Sequence, residues 1–397
     1  MPFDIGFYAQ RPPVIPEYMP FELGQDPKTG LIRQQVTEEL RSALKSYYEL
    51  GGYLSTPLGE GAYATGQGDF FLRALERALG QSDKTIAGLD FLEVGSGYGY
   101  VVRGLLDRGA KSAIGIEPGE DGVAGSERWG VSIIKDFFPT PQLAGKQFDV
   151  VLSHGVLEHI EDPTAMLRAT YESVKEGGLV FAAVPECEKK MSVGDLSIIT
   201  HQHVNYFTKD TLRTALAQAG FSKIVTMISP KRSILFAWGV KDSGATERMD
   251  VNDSDGTLLE RFSSSFTINV RGIQRVVDEL KNAHKTLSLY APSANLAGLI
   301  SYDSPPRTFN KDDKKLGMHI SPAARSFESP LELVKDPTDA VLIAPIDYDD
   351  EIKADLRSMG LLLTTQLISL KELYQNENTV VYESGSLTMK EEFVVVS

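Results

Sequence analysis

Between Asp90 and Tyr100 the chain reads Asp-Phe-Leu-Glu-Val-Gly-Ser-Gly-Tyr-Gly-Tyr. An apolar strand ends at Glu93-Val94, a glycine-rich turn follows, and a helix begins near Tyr100. Glycine lets the backbone adopt positive φ and lets a ligand approach it closely. The start of the following helix offers unpaired N–H groups and the positive end of its dipole. No other stretch restricts the fold as much, because a strand, a glycine turn and a helix in this order belong to open α/β sheets.

The pattern continues on both sides. Strands fit Phe91–Val94, Ser112–Ile116, Val131–Lys135, Phe148–Ser153 and Leu179–Val184, and helices fit Tyr100–Arg108, Asp121–Trp129 and Pro163–Val174. This alternation predicts a doubly wound, Rossmann-like parallel sheet. A helix over Lys209–Gly220 and strands over Lys223–Ile228 and Ser233–Val240 follow. Before the sheet, Val36–Tyr48 and Phe70–Leu79 have helical spacing, and the glycine-rich stretch Gly51–Gly68 between them reads as a loop. Residues 1–35 are broken by Pro12, Pro13, Pro16, Pro20 and Pro27 and read as irregular or short-stranded.

After the polar stretch 241–256, a long helix over Leu258–His284 leads into a second α/β pattern. Its strands are Leu287–Ala291, Arg307–Asn310 and Ala340–Pro345, and its helices are Asn295–Ser301 and Asp349–Met359. At 397 residues the chain is long for one core. The expected division is an N-terminal segment (1–62), a sheet domain (63–245) and a C-terminal α/β domain (246–397).

Composition narrows the function. With 40 Lys and Arg against 54 Asp and Glu, the formal charge is −14 and no basic run stands out, so nucleic acid is not an expected partner. Cys187 is the only cysteine, which excludes an internal disulfide and a multi-cysteine zinc site. Neither a signal-peptide pattern nor an apolar run of membrane-spanning length is apparent. The expectation is a cytoplasmic protein, monomeric or homodimeric, acting on a small molecule without a membrane partner.

The acids at the strand ends say which ligand the glycine turn suits. A dinucleotide turn has Gly-x-Gly-x-x-Gly, whereas here the order is Glu-x-Gly-x-Gly-x-Gly, and a carboxylate at Glu93 would repel a pyrophosphate. It suits a ligand bearing an ammonium group, such as the amino-acid part of S-adenosylmethionine. Glu117, before Pro118 at the end of the next strand, is placed to accept ribose hydroxyls. Asp136, followed by Phe137, ends the third strand and can face an adenine. The fourth strand ends in Ser153-His154 and runs on as Gly-Val-Leu-Glu-His-Ile-Glu-Asp-Pro.

Taken together, residues 90–184 resemble a class I S-adenosylmethionine-dependent methyltransferase. The resemblance implies S-adenosylmethionine as cofactor and S-adenosylhomocysteine as product, with no metal. It places Glu93, Gly95 and Gly97 at the methionyl part, with Ser96 in the same turn. It also places Glu117 and Pro118 at the ribose, Asp136 and Phe137 at the adenine, and Ser153 and His154 on the sulfonium side.

A narrower resemblance follows. Thr200-His201-Gln202-His203-Val204-Asn205-Tyr206-Phe207 is similar to the Tyr-His-Glu-His-x-x-Tyr-Phe motif of the sugar C-methyltransferases, which methylate a carbon beside a ketone in a nucleotide-linked deoxysugar. Leu289–Asn295 resembles their Tyr-Gly-Ala-Pro-Ala-Lys-Gly-Asn turn, and Phe309–Gly317 more loosely their Asp-Asn/Asp-x-Pro-x-Lys-x-Gly stretch. That family opens with a cysteine-based zinc module, and residues 1–62 contain no cysteine. Thr200 and Gln202 replace the motif's first Tyr and its Glu, and the C-terminal turn lacks the Lys and one Gly.

The resemblance implies His203 as the base, because the family's proposed base falls on the second His of the pair. His201 and Tyr206 are supporting candidates. His159, His284 and His319 read as structural, and no third ligand accompanies His201 and His203 in a metal pattern. Tyr47, Tyr48, Tyr53 and Tyr63 suggest a lid. The expected activity is C-methylation of a sugar or similar polar metabolite. The alternatives are transfer to oxygen or nitrogen of another small molecule, or a silent binding protein that keeps the fold.

Overall fold

The computed structural model describes residues 1, 3, 8, 16–49, 61–229, 232–243, 257–300, 302, 304–377 and 393–396. In chain order the elements begin with β1 (Leu23–Gln25), β2 (Ile32–Gln34), α1 (Glu38–Glu49) and α2 (Gly61–Gly80). The central run is β3 (Asp90–Val94), α3 (Tyr100–Asp107), β4 (Ser112–Ile116), α4 (Glu120–Trp129), β5 (Ser132–Ile134), β6 (Phe148–His154), α5 (Pro163–Ser173) and β7 (Val174–Pro185). Then come α6 (Glu188–Ser192), β8 (Asn205–Tyr206), α7 (Lys209–Ala219), β9 (Ser222–Ser229), β10 (Ile234–Val240) and α8 (Leu258–Asn282). The rest comprises β11 (Leu287–Tyr290), α9 (Ala294–Leu299), β12 (Arg307–Phe309), β13 (Phe327–Glu328), α10 (Pro330–Lys335), β14 (Ala340–Ile343), α11 (Asp349–Ser358), β15 (Gln366–Ser369), α12 (Leu370–Glu377) and β16 (Val394–Val396).

The main sheet has eight strands in the order β16-β9-β10-β7-β6-β3-β4-β5. The strands from β7 to β5 run parallel, and β10, β9 and β16 are antiparallel additions. Parallel strands are covered on both faces and so lack polar alternation. Here Leu92, Val151 and Val180 pack on one side with Met166, Leu167, Leu212 and Leu216 of α5 and α7. Phe91, Val150, Leu152 and Phe181 pack on the other with Phe71, Leu75, Val102 and Leu105 of α2 and α3. The doubly wound sheet expected from the sequence is present. Its strand order reverses between β3 and β6, which opens a crevice at the carboxyl ends of those strands.

A second sheet is fully parallel, ordered β13-β12-β11-β14-β15. This order also reverses beside its first strand, between β11 and β14. A third sheet of three short strands, β1-β2-β8, joins the N-terminal hairpin to the segment after β7. Strand β16 lies on the edge of the main sheet rather than with the second sheet, although it falls within 246–397. Phe393 before it stacks on Phe70 at 4.8 Å.

Helix α2 begins at Gly61, so the part of the expected loop from 61 to 68 is helical, while residues 50–60 lie outside the described residues. Glycine disfavours helix by about 1 kcal/mol per residue, but packing overrides this at Gly68. A Cβ there would stand 2.4 Å from Cδ1 of the Tyr100 ring. Of the suggested lid, Tyr47 is 3% exposed and packs with Phe3, Met19, Leu40, Leu44 and Val204, so it belongs to a core. Tyr53 and the side chains of Tyr48 and Tyr63 lie outside the described residues. No helix among the described residues is long and apolar enough to cross a membrane.

Candidate active site

The parallel register brings the strand-end residues to one edge. Val94 pairs with Ile116 of β4 and with Ser153 of β6. Glu93, Gly95, Ser96, Gly97, Glu117, Pro118, Asp136, Phe137, Ser153 and His154 therefore all lie at the carboxyl ends of β3, β4, β5 and β6. The turn after β3 is held to β4, with the N–H groups of Gly95 and Ser96 donating to the Ile116 carbonyl at 2.9 and 3.0 Å. Gly95 and Gly97 both have positive φ (72° and 48°). A Cβ on Gly95 would meet Val156 at 2.4 Å, whereas one on Gly97 would meet nothing within 4 Å. The turn thus packs tightly below and is open above. Helix α4 crosses beneath it at Gly125, where a Cβ would lie 2.1 Å from the Tyr98 carbonyl oxygen.

Glu117 is 3% exposed and accepts from the N–H of Gly97 at 3.0 Å and of Gly119 at 2.9 Å. Glu93 is equally buried, and its Oε2 has no hydrogen-bond partner. Burial, with a smaller contribution from the Glu117 carboxylate, pushes the Glu93 carboxyl well above the ordinary range. The Ser96 hydroxyl, which lies against Gly115, is also buried without a partner. Unsatisfied buried polar atoms are costly, and these point to a donor-bearing ligand at the turn. Asp136 accepts from the N–H of Phe137 at 2.8 Å and from Thr140 Oγ1 at 2.6 Å; bonding to Thr140, then to Phe137, holds its carboxyl below the usual value. Phe137 is 67% exposed beside it. His154 ends β6 against Phe71, ring centroids 5.0 Å apart, and burial lowers its imidazole to about 4.

The run Leu157–Pro163 acquires a local explanation. Leu157–His159 forms a single 3₁₀ turn, Asp162 caps α5 by accepting from the Ala165 N–H at 2.9 Å, and Pro163 occupies the first turn. That turn is sewn to the segment carrying the second motif. Asn205 Nδ2 donates to the carbonyls of Leu157 and Ile160, at 2.9 and 2.6 Å. The Val204 N–H donates to the Glu158 carbonyl at 2.7 Å, and His159 Nδ1 lies 2.9 Å from the Gln202 carbonyl.

The stitching places His159 edge-on to His203, ring centroids 5.0 Å apart. Glu158 completes the group: donor atoms of Glu158, His159 and His203 all lie within 4.8 Å of one another. His203 Nδ1 and Glu158 Oε2 are buried without partners. His159, read from the sequence as structural, is therefore a neighbour of the candidate base, and Glu158 is a residue the sequence reading missed. Spacing along the chain could not reveal either, because more than forty residues separate them from His203.

The other two candidates in the motif lie deeper. His201 is fully buried, stacked on Phe3 at 5.0 Å and edge-on to Phe21 at 5.4 Å, with Nε2 3.1 Å from the Pro20 carbonyl. Tyr206 is fully buried too, its hydroxyl 3.3 Å from both the Thr200 carbonyl and the Thr200 N–H, and burial raises its pKa far above the ordinary value. Both hold the segment in shape; only His203 joins the Glu158–His159 group.

Burial fixes the protonation of this group. The Glu158 carboxyl is raised to about 8 and the imidazoles of His159 and His203 are lowered, that of His203 also by the charges of His159 and Lys190. Near neutrality, then, Glu158 carries its proton and both imidazoles are neutral. A carboxyl whose folded pKa lies above its unfolded value of about 4.3 stabilises the fold below that value, relative to high pH. The advantage disappears as pH rises through about 8. Glu158→Gln is accordingly expected to flatten the melting temperature between pH of about 5 and about 8, with the variant gaining on the parent at the alkaline end. Parallel curves in thermal melts would contradict this protonation state.

Comparison with known proteins points to methyltransferases. Residues 63–226 match a family model described as a methyltransferase domain. A ubiquinone biosynthesis O-methyltransferase of Ruegeria sp. (strain TM1040) is 28% identical over 178 residues, 41% of this chain and 72% of that protein. One from Pseudomonas fluorescens (strain SBW25) is 37% identical over 103 residues, 24% of this chain and 44% of that protein. Among solved structures, the magnesium protoporphyrin IX methyltransferase of Synechocystis PCC 6803 with bound SAH aligns with a TM-score of 0.41 at 16% identity, over 51% of this chain and 100% of that one. The chain is an S-adenosylmethionine-dependent methyltransferase. Its methyltransferase domain is the matched stretch 63–226, which holds the main sheet's parallel strands and the glycine turn, and its methyl donor is S-adenosylmethionine.

Proposed function

We propose that this enzyme methylates a carbon beside a carbonyl in a small polar acceptor, a nucleotide-linked sugar, with His203 as the base. S-adenosylmethionine brings an electrophilic methyl group on a sulfonium. The chain supplies binding, alignment and proton removal. Glu93, with its unpartnered oxygen, and the turn Gly95-Ser96-Gly97 suit the ammonium and carboxylate of the methionyl part. Glu117 with Pro118 suits the ribose, Asp136 and Phe137 the adenine, and Ser153 and His154 the sulfonium side.

The observation that carries the carbon reading is the buried, unpartnered Nδ1 of His203 beside His159 and Glu158. Transfer to carbon requires removal of a proton next to a carbonyl and support for the resulting enolate. A neutral imidazole can accept that proton, and the protonated Glu158 can support developing negative charge. His201 and Tyr206 act by holding the segment.

The second parallel sheet suits the acceptor side. Asp347, just after β14 at that sheet's own crevice, lies 3.4 Å from Lys189 Nζ and 3.2 Å from Ser233 Oγ, which follow and precede β7 and β10 of the main sheet. The two sheets thus meet through Asp347. The names of the curated relatives favour a second reading, transfer to an oxygen.

Solvent exchange separates the two. In D₂O with S-adenosylhomocysteine, the parent is expected to wash the hydrogen beside the carbonyl out of a nucleotide-linked 4-keto-6-deoxysugar, and His203→Asn is not. Absence of exchange by the parent would favour transfer to oxygen.

A further inference from the structure

The segment that carries His203 has almost no secondary structure of its own, since β8 is two residues long. Its position is set from outside, largely by the N-terminal hairpin. Strand β2 pairs antiparallel with β8, Ile32 against Tyr206 and Arg33 against Asn205. The Gln34 N–H donates to the Val204 carbonyl at 2.8 Å. The Gln34 side chain, 3% exposed, lies under the two histidines. With its amide oriented to satisfy its surroundings, its nitrogen donates to the carbonyls of both His201 and His203, each at 3.2 Å. Arg33 adds a second tie. Its Nε donates to Asn205 Oδ1 at 3.1 Å and its Nη2 to the Glu161 carbonyl, so the hairpin grips both the histidine segment and the turn bearing Glu158 and His159.

We propose that Gln34 is a positioning residue for methyl transfer: by holding the His201 and His203 carbonyls it fixes the His203 imidazole against His159 and Glu158. A primary amide has two N–H donors on one nitrogen and can bridge two carbonyls two residues apart. Hydrophobic residues of similar size cannot, and would remove both of these bonds. The proposal rests on the reading of His203 as the base and deepens it, whichever atom receives the methyl group.

The test follows the histidine itself. In full-length protein labelled with ¹⁵N,¹³C-histidine, the His203 ring signals are assigned by their loss in His203→Asn. In the parent they are expected to show one neutral tautomer, with a titration midpoint well below 6.5. In Gln34→Leu the midpoint is expected to move up toward about 6.5, with mixed tautomers, while the His154 signals and the affinity for S-adenosylmethionine stay unchanged.

A Gln34→Leu protein that melts earlier with His203 signals identical to the parent would overturn the proposal, since Gln34 would then only stabilise the fold. If the variant does not fold, the parent alone decides. The Gln34 side-chain amide protons should exchange slowly and show nuclear Overhauser contacts to the His201–His203 backbone. Fast exchange without those contacts would overturn it equally.

Discussion

Replacing His203 by asparagine is expected to lower the rate of methyl transfer by about 10²- to 10⁴-fold, the usual contribution of a positioned general base, with little change in affinity for S-adenosylmethionine. The physical basis is the separation of the two halves of the site. The residues proposed for the cofactor sit on strand ends whose register is fixed by the main sheet, whereas His203 sits on a segment fixed by β2 and by the Leu157–Ile160 turn. Asparagine keeps a polar side chain but cannot take up a proton near neutral pH.

The pH dependence of the parent follows from the same environment. Burial lowers the His203 pKa, so the imidazole is held in its basic form. The acid limb of the rate should fall below the ordinary histidine value of about 6.5, not at it. Stopped turnover with normal cofactor binding supports the assignment. A variant as fast as the parent would remove His203 from the chemistry.

Replacing Glu117 by alanine is expected to act on the other half. A carboxylate that accepts hydrogen bonds contributes about 1.5–3 kcal/mol per bond, so loss of the ribose contact should weaken S-adenosylmethionine binding roughly 10- to 100-fold. The same side chain accepts from the N–H of Gly97 and of Gly119, so its removal also loosens the glycine turn. Calorimetric titration reads the effect directly. The turnover rate at saturating cofactor should remain within a few-fold of the parent, because Glu117 follows β4 whereas His203 belongs to the segment held by β2. Unchanged affinity would move the ribose site elsewhere.

The placement of the strand-end residues was legible in the sequence for a physical reason. Each of them ends a strand, each strand is a short apolar run closed by a turn signal, and parallel register then brings the ends together without further information. Glu93, Glu117, Asp136 and Ser153 needed only that rule. The histidine group obeys no local rule. Glu158, His159 and His203 meet because Asn205 bonds the carbonyls of Leu157 and Ile160, and Gln34 comes from the far end of the chain.

Long-range packing hid other features too. The glycines of 61–68 argue for a loop until Tyr100 is seen to lie against Gly68. The strand Val394–Val396 pairs with β9 of a sheet begun some three hundred residues earlier. His201 reads in the motif as a supporting candidate beside His203. Its aromatic neighbours Phe3 and Phe21 come from a proline-broken segment whose path sequence periodicity does not describe.

Where the methyl group goes separates transfer to carbon from transfer to oxygen or nitrogen. Incubation with S-adenosylmethionine carrying a ¹³C-labelled methyl group and a nucleotide-linked 4-keto-6-deoxysugar, read by ¹H–¹³C correlation spectra, tests this directly. The label is expected on the carbon next to the carbonyl, coupled to ring carbons, and is expected to be absent with His203→Asn. A labelled methyl group on oxygen or nitrogen, or transfer that survives loss of His203, would contradict transfer to carbon with His203 as the base.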